Sequence, residues 1–271
     1  MHLTIVAAAL ASFALGASAQ SKVTGSSAQP CPNPPNNATV QAYVDIEVTD
    51  TQATLFRDDA RAEFVLAFPG SNGTHDSLTD YAFLPIPYRP EQCPGCAVHV
   101  GFYVAWTSAA DAVRAQLDAA LAARPGYGLV LGGGSLGAAL ANLAFAELRA
   151  DPRYVGLVRA VYNSGQPRVG NQAYADYVDA LAGASDTAAG IFHRTTHADD
   201  GVPQMPPVEL GFRHSGTEYW ESEMEATAAT TYRCFGQEPD DCNLSQESGG
   251  QFINDAHTSY AGYETATCSG S

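Results

Sequence analysis

Ser135 stands in the run Gly133-Gly134-Ser135-Leu136-Gly137, which fits the pattern Gly-x-Ser-x-Gly. A serine hydroxyl attacks a carbonyl only when a base takes its proton and a carboxylate orients that base. The pattern suits that task. The serine must occupy a tight turn with strained dihedrals, and flanking residues without side chains let neighbouring backbone approach it. The N–H of Leu136, at the start of a following helix, would then point at a developing oxyanion. A glycine-rich helix start with a capping serine is the plainer reading of the same five residues. The strand-like run before them and the helix-like run after them favour the nucleophile.

The base and its carboxylate should follow in the chain. In an open α/β sheet the order is serine, then acid, then histidine, and catalytic side chains collect on loops at strand ends. In "THADDGVPQMPP", Asp199 and Asp200 stand just after a strand-like segment and before a proline-rich one. Three histidines are available there: His197, His214 and His257. His257, in the polar stretch "NDAHTSYAG", is the better base by order and loop position. His214 competes only if the order is ignored.

The elements that must position these residues read as follows. Residues 40–48 alternate apolar and polar, as a half-buried strand does, and residues 64–68 form the continuous apolar run of a central strand. Residues 104–123 have helical spacing and stop before Pro125-Gly126. Strands at 129–131, 157–162 and 191–196 alternate with helices at 136–150 and 171–181, so the middle of the chain reads as parallel βαβ units. Trp106 falls within such an element, and both Trp106 and Trp220 are expected in the core.

The 271 residues suit one large α/β domain. With 29 acidic against 13 basic residues, the net charge of −16 repels nucleic acid and anionic membranes. Residues 3–15 are mostly apolar, and Ala17-Ser18-Ala19 gives a small-x-small cleavage pattern. We therefore expect residues 1–19 to be a signal peptide, 20–271 to be a single secreted catalytic domain, and no stable membrane insertion. Six cysteines in an oxidising compartment suggest three disulfides, with about 15 possible pairings. Cys93-Pro-Gly-Cys96 lacks the second CxxC or histidine pair that a zinc site needs, so no metal is expected. Sequons at Asn37, Asn72 and Asn243 fit a secreted glycoprotein.

The motifs "LAFPGSNG", "CPGCAVHVGFY", "GGSLGAALA", "GQPRVGN", "THADDGVPQMPP", "HSGTEYW" and "NDAHTSY" occur in this order across nearly the whole chain after the leader. In them the sequence resembles the fungal class 3 lipases, and especially their feruloyl esterase branch. The resemblance implies an α/β-hydrolase fold, with a central mostly parallel sheet flanked by helices. It implies that Ser135 is the nucleophile, Asp200 the triad carboxylate and His257 the base. Ser71 and Leu136 would supply the oxyanion hole, and Tyr81 and Ile253 would line the substrate pocket. The disulfides it implies are Cys31–Cys268, Cys93–Cys96 and Cys234–Cys242. No cofactor is implied; the partner is a small-molecule or lipid ester, and the chain is expected to act as a monomer. Two positions depart from the family pattern. Gly134 stands where a histidine is usual and Pro69 where an arginine is usual.

The proximal lid segment, residues 72–80, is almost wholly polar, and apolar residues come later at Tyr81, Phe83, Leu84 and Ile86. A polar lid gains little at an oil surface. The sequence therefore favours an open site that takes short-chain or aromatic esters. An interfacially activated triacylglycerol lipase is the alternative, and a catalytically silent binding protein on the same scaffold a second one.

Overall fold

The computed structural model describes residues 35–70, 83–89, 91–247 and 253–264. The expected signal peptide (residues 1–19), Cys31, Ser71, Asn72, Tyr81 and Cys268 lie outside the described residues. Strands β1 (Thr39–Ile46), β2 (Thr51–Asp58) and β3 (Glu63–Phe68) open the chain as an antiparallel meander. Short β4 (Pro85–Pro87) and β5 (Ala97–His99) lead into helix α1 (Val100–Ala123). Then come β6 (Gly128–Gly134), α2 (Leu136–Ala150), β7 (Val158–Ser164), the two-residue β8 (Gly170–Asn171), α3 (Gln172–Ala182) and β9 (Phe192–His197). Short β10 (Phe212–Arg213), β11 (Glu218–Glu221) and β12 (Thr231–Cys234) complete the larger sheets, and a hairpin of β13 (Ser259–Tyr260) and β14 (Tyr263–Glu264) follows.

The main sheet runs β1-β2-β3-β6-β7-β9-β11-β12. The five strands from β3 to β11 are parallel, and both margins are antiparallel. The mostly parallel sheet flanked by helices is therefore as expected. Sequence reasoning missed β2, whose alternation is blurred because nearly all of its residues are buried. It also missed β11, β12 and the small second sheet β10-β8-β5-β4, which are too short to show a period. Among the described residues, no helix is long and apolar enough to cross a membrane.

The core lies between the sheet and the helices. Trp106 of α1 meets Phe68 of β3 edge-on at 6.0 Å, and Phe145 of α2 meets Phe192 of β9 at 5.2 Å. Residues 137–148 of α2 are all buried, which explains their alanine content: small side chains let one helix pack against strands and helices at once. The one acid among them, Glu147, is held by Arg89 and Arg114. Trp106 is a core residue, as expected, but Trp220 is not. It is half-buried on β11, and its indole N–H donates to the Ala198 carbonyl at 3.0 Å.

The structure joins Cys93 to Cys96 and Cys234 to Cys242, and no described cysteine is free. Asn37 is exposed. Asn243 corrects the sequence reading. Its side chain is 2 % exposed and its amide donates to the carbonyls of Ala198 and Asp200, so the folded protein has no room for a glycan there.

Two buried histidines make the fold acid-sensitive. Burial lowers His99 to about 4, and burial with the Arg233 charge nearby lowers His193 to about 4. The unfolded chain binds these protons near pH 6.5 and the folded chain does not, so stability falls as pH drops from about 6.5 to 4. Relief of acidic self-repulsion works in the opposite direction, so the variant comparison is the clean one. The urea midpoint of His193→Gln should fall less between pH 7 and 4.5 than that of the wild type.

Candidate active site

Ser135 joins β6 to α2 with φ 54° and ψ −126°, a conformation that costs a non-glycine residue about 1–3 kcal/mol. Two of the neighbouring glycines are sterically required. A Cβ on Gly133 would lie 2.3 Å from the Gly137 backbone. One on Gly137 would lie 2.2 Å from the Phe68 carbonyl oxygen, where the end of β3 crosses the helix. Gly134 is different: an added Cβ would meet only Ser164 Oγ, at 3.5 Å. A Cβ at this position therefore makes ordinary van der Waals contact and no clash.

The Ser135 N–H donates to the Ser164 carbonyl at 2.9 Å. Gly165, next in the chain, has positive φ, and a Cβ there would lie 2.8 Å from His257 Cε1. Ser135 and the His257 ring thus share the corner at the end of β7. Gly70, just before the residue expected to complete the oxyanion hole, passes so close that a Cβ on it would lie 3.5 Å from Ser135 Cβ. Leu136 opens α2, and its N–H is one of the donors that a helix cannot satisfy internally.

Asp200 is fully buried on the loop after β9. Its Oδ1 accepts the Val202 N–H at 2.9 Å. Its Oδ2 accepts His257 Nδ1–H at 2.8 Å and also the Tyr260 hydroxyl. With the Nδ1 proton directed at Asp200, Nε2 carries the ring's lone pair in the neutral tautomer. Tyr260 is a site residue that sequence reasoning missed, although it stands in the quoted motif "NDAHTSY". Burial first, and then the Asp200 charge, hold its phenol well above the ordinary tyrosine value, so it stays a donor.

The other candidates are accounted for. Asp199 is half-buried and faces the base loop through its carbonyl, which accepts from Asn254 Nδ2 at 2.8 Å. His214 is buried, and its Nε2 donates to the Pro203 carbonyl at 2.7 Å. Burial first, then Arg194 and Arg168, push its pKa well below the usual value, which fits a scaffold residue. Arg168 of "GQPRVGN" grips Glu238 with two 2.8 Å bonds and the carbonyls of Gln204 and Pro206, holding the proline segment behind Asp200. Ile253 is described and exposed; Ser71 and Tyr81 are not among the described residues.

A family model described as "Lipase (class 3)" matches residues 65–210. The "Secreted mono- and diacylglycerol lipase 1" of Fusarium solani is 37% identical over 175 residues, covering 64% of this chain and 48% of that protein. "Secreted mono- and diacylglycerol lipase A" of Penicillium cyclopium is 36% identical over 191 residues, covering 70% of this chain and 58% of that protein. The chain thus spans about half the length of the curated relatives it matches. Among solved structures, lipase II from Rhizopus niveus superposes with a TM-score of 0.84 at 27% identity, covering 98% of this chain and 97% of that one. The fold is the α/β-hydrolase fold anticipated from the sequence. The feruloyl esterase branch finds no such support.

Two predictions follow from the packing. Gly137→Ala should cost several kcal/mol or prevent folding, whereas Gly134→Ala should stay within about 1 kcal/mol of wild type by urea denaturation. Tyr260→Phe should lower kcat about tenfold on any ester turned over, with about 1–2 kcal/mol lost in stability, because Asp200 loses one of its donors.

Proposed function

The chain belongs to the class 3 lipase family, whose model it matches over residues 65–210, and on that premise we propose that it is a secreted serine carboxylic-ester hydrolase acting on acylglycerols. One observation carries the reading. Ser135 is strained into a half-buried turn beside the same corner that seats His257, and His257 is bonded to the buried Asp200.

In this mechanism His257 Nε2 takes the proton from Ser135 Oγ as it attacks the ester carbonyl. Asp200 stabilises the imidazolium. The N–H of Leu136, with that of Ser71 by family resemblance, holds the oxyanion. Collapse expels the alcohol, which takes its proton from His257. Water, deprotonated by the same ring, then cleaves the acyl-enzyme.

The relatives named as mono- and diacylglycerol lipases favour lipid esters over the aromatic esters that the motifs first suggested. Their description as secreted supports the reading of residues 1–19 as a leader. Leu84 and Ile253 are apolar and more than half exposed, and so are available to an acyl chain.

The test sets monoolein, diolein, triolein and methyl ferulate side by side. Oleoylglycerols should be cleaved at least tenfold faster than the ferulate, and Ser135→Ala should lose about four orders of magnitude or more. A faster ferulate rate would restore the aromatic reading, and no turnover by the wild type would favour the silent binding protein. Rate against tributyrin concentration should jump once droplets form. A smooth curve would instead favour the open site expected from polar residues 72–80.

A further inference from the structure

His197, the last residue of β9, is 1 % exposed and touches two loops at once. Its Nδ1 lies 2.9 Å from the carbonyl oxygen of Ala256, the residue before the base. Its Nε2 lies 3.0 Å from the Glu223 carbonyl oxygen and 3.2 Å from that of Met224. Carbonyl oxygens only accept, so each contact is a hydrogen bond when the ring nitrogen facing it carries the proton, and the tie to Ala256 is made with the proton on Nδ1. Glu221, at the matching register of the neighbouring parallel strand β11, presents its side chain to the same face. Its two carboxylate oxygens accept the Ala261 N–H, at 3.1 and 2.9 Å.

The two side chains bracket the base. His197 grips the chain one residue before His257, and Glu221 grips it one residue after Tyr260. Asn254 adds a third tie, to the Asp199 carbonyl. Between these ties lie the two residues that bond Asp200. The segment itself is a one-turn 3-10 helix, Asp255–Thr258, followed by the short β13. So short an element has little rigidity of its own, and its geometry must come from what it is tied to.

We propose that His197 is a positioning residue for the reaction. Through the Ala256 carbonyl it sets the height and tilt of the His257 ring between Asp200 and Ser135, and Glu221 fixes the other end of the same segment. His197 touches neither substrate nor reacting atoms. The proposal rests on the hydrolase reading above. Its physical basis is that a shift of about 1 Å in a catalytic group can cost on the order of a hundredfold in rate.

The test uses His197→Phe, which keeps an aromatic ring and removes both ring nitrogens, and His197→Gln, which restores one donor. Active sites are counted by phosphonate titration, so that unfolded protein is excluded, and p-nitrophenyl butyrate is the substrate. For His197→Phe, kcat per titrated site should fall at least tenfold with KM within threefold, and His197→Gln should recover part of the loss. A purely structural residue would change the number of titrated sites and leave kcat per site alone; a value within twofold of wild type overturns the proposal. If His197→Phe does not fold, the same criterion applies to His197→Leu, which also lacks a donor. The low-field proton resonance of the His257–Asp200 hydrogen bond is read in parallel. Should the wild type turn over no ester, the hydrolase reading fails by itself. A resonance shifted in the variants would still support the positioning role, and an unshifted one would overturn it.

Discussion

Ser135 occupies backbone dihedrals that a residue with a side chain adopts only under duress, and the centre of the molecule is arranged to enforce them. The strain holds because the end of β3 presses on the first turn of α2 at Gly137, and that turn presses on β6 at Gly133. The parallel register of β3, β6 and β7 brings these backbones together. The small residues of α2 let the helix sit deep enough to keep them there. The flat, buried strands and the alanine-rich helix can thus be seen as the support of one turn.

The acid and base proposed for the triad, Asp200 and His257, rely on a different kind of support. They stand on loops, and loops are fixed by polar contacts rather than by packed strands. Asp200 is surrounded by donors from Val202, His257 and Tyr260, and the backbone around it is tied by Asn243 and Trp220 at Ala198. The contacts from His257 and Tyr260 span 57 and 60 residues of chain, so the geometry proposed for the triad depends on tertiary structure being complete. The nucleophile's geometry, by contrast, is largely set within one strand-turn-helix unit and its neighbour β3.

That difference explains what could be read from the sequence. The Gly-x-Ser-x-Gly run, the apolar strand at 64–68 and the helix at 136–150 are local patterns, and each lies where its pattern put it. The distinction between Gly137, which must be glycine, and Gly134, which need not be, required the approach of β3. His197 was one of the three histidines available in the sequence, and nothing local marks it as a residue tied to the segment before His257. Tyr260 and Glu221 were equally silent, because their partners are contributed by remote chain. Trp220 was misread as core for a related reason: the short strand that carries it has no period of its own to mark its buried face.

Asn243 has a consequence for how the chain matures. Its sequon is legible to any machinery that glycosylates nascent chains, yet its amide is needed inside the folded protein. In such a host the two fates compete in time. A molecule that closes the loop over Ala198 and Asp200 first hides the acceptor, and one that is modified first carries a sugar where backbone must go. Yield of competent protein then becomes a matter of kinetics, set by how fast the last third of the chain docks relative to the transfer of a glycan.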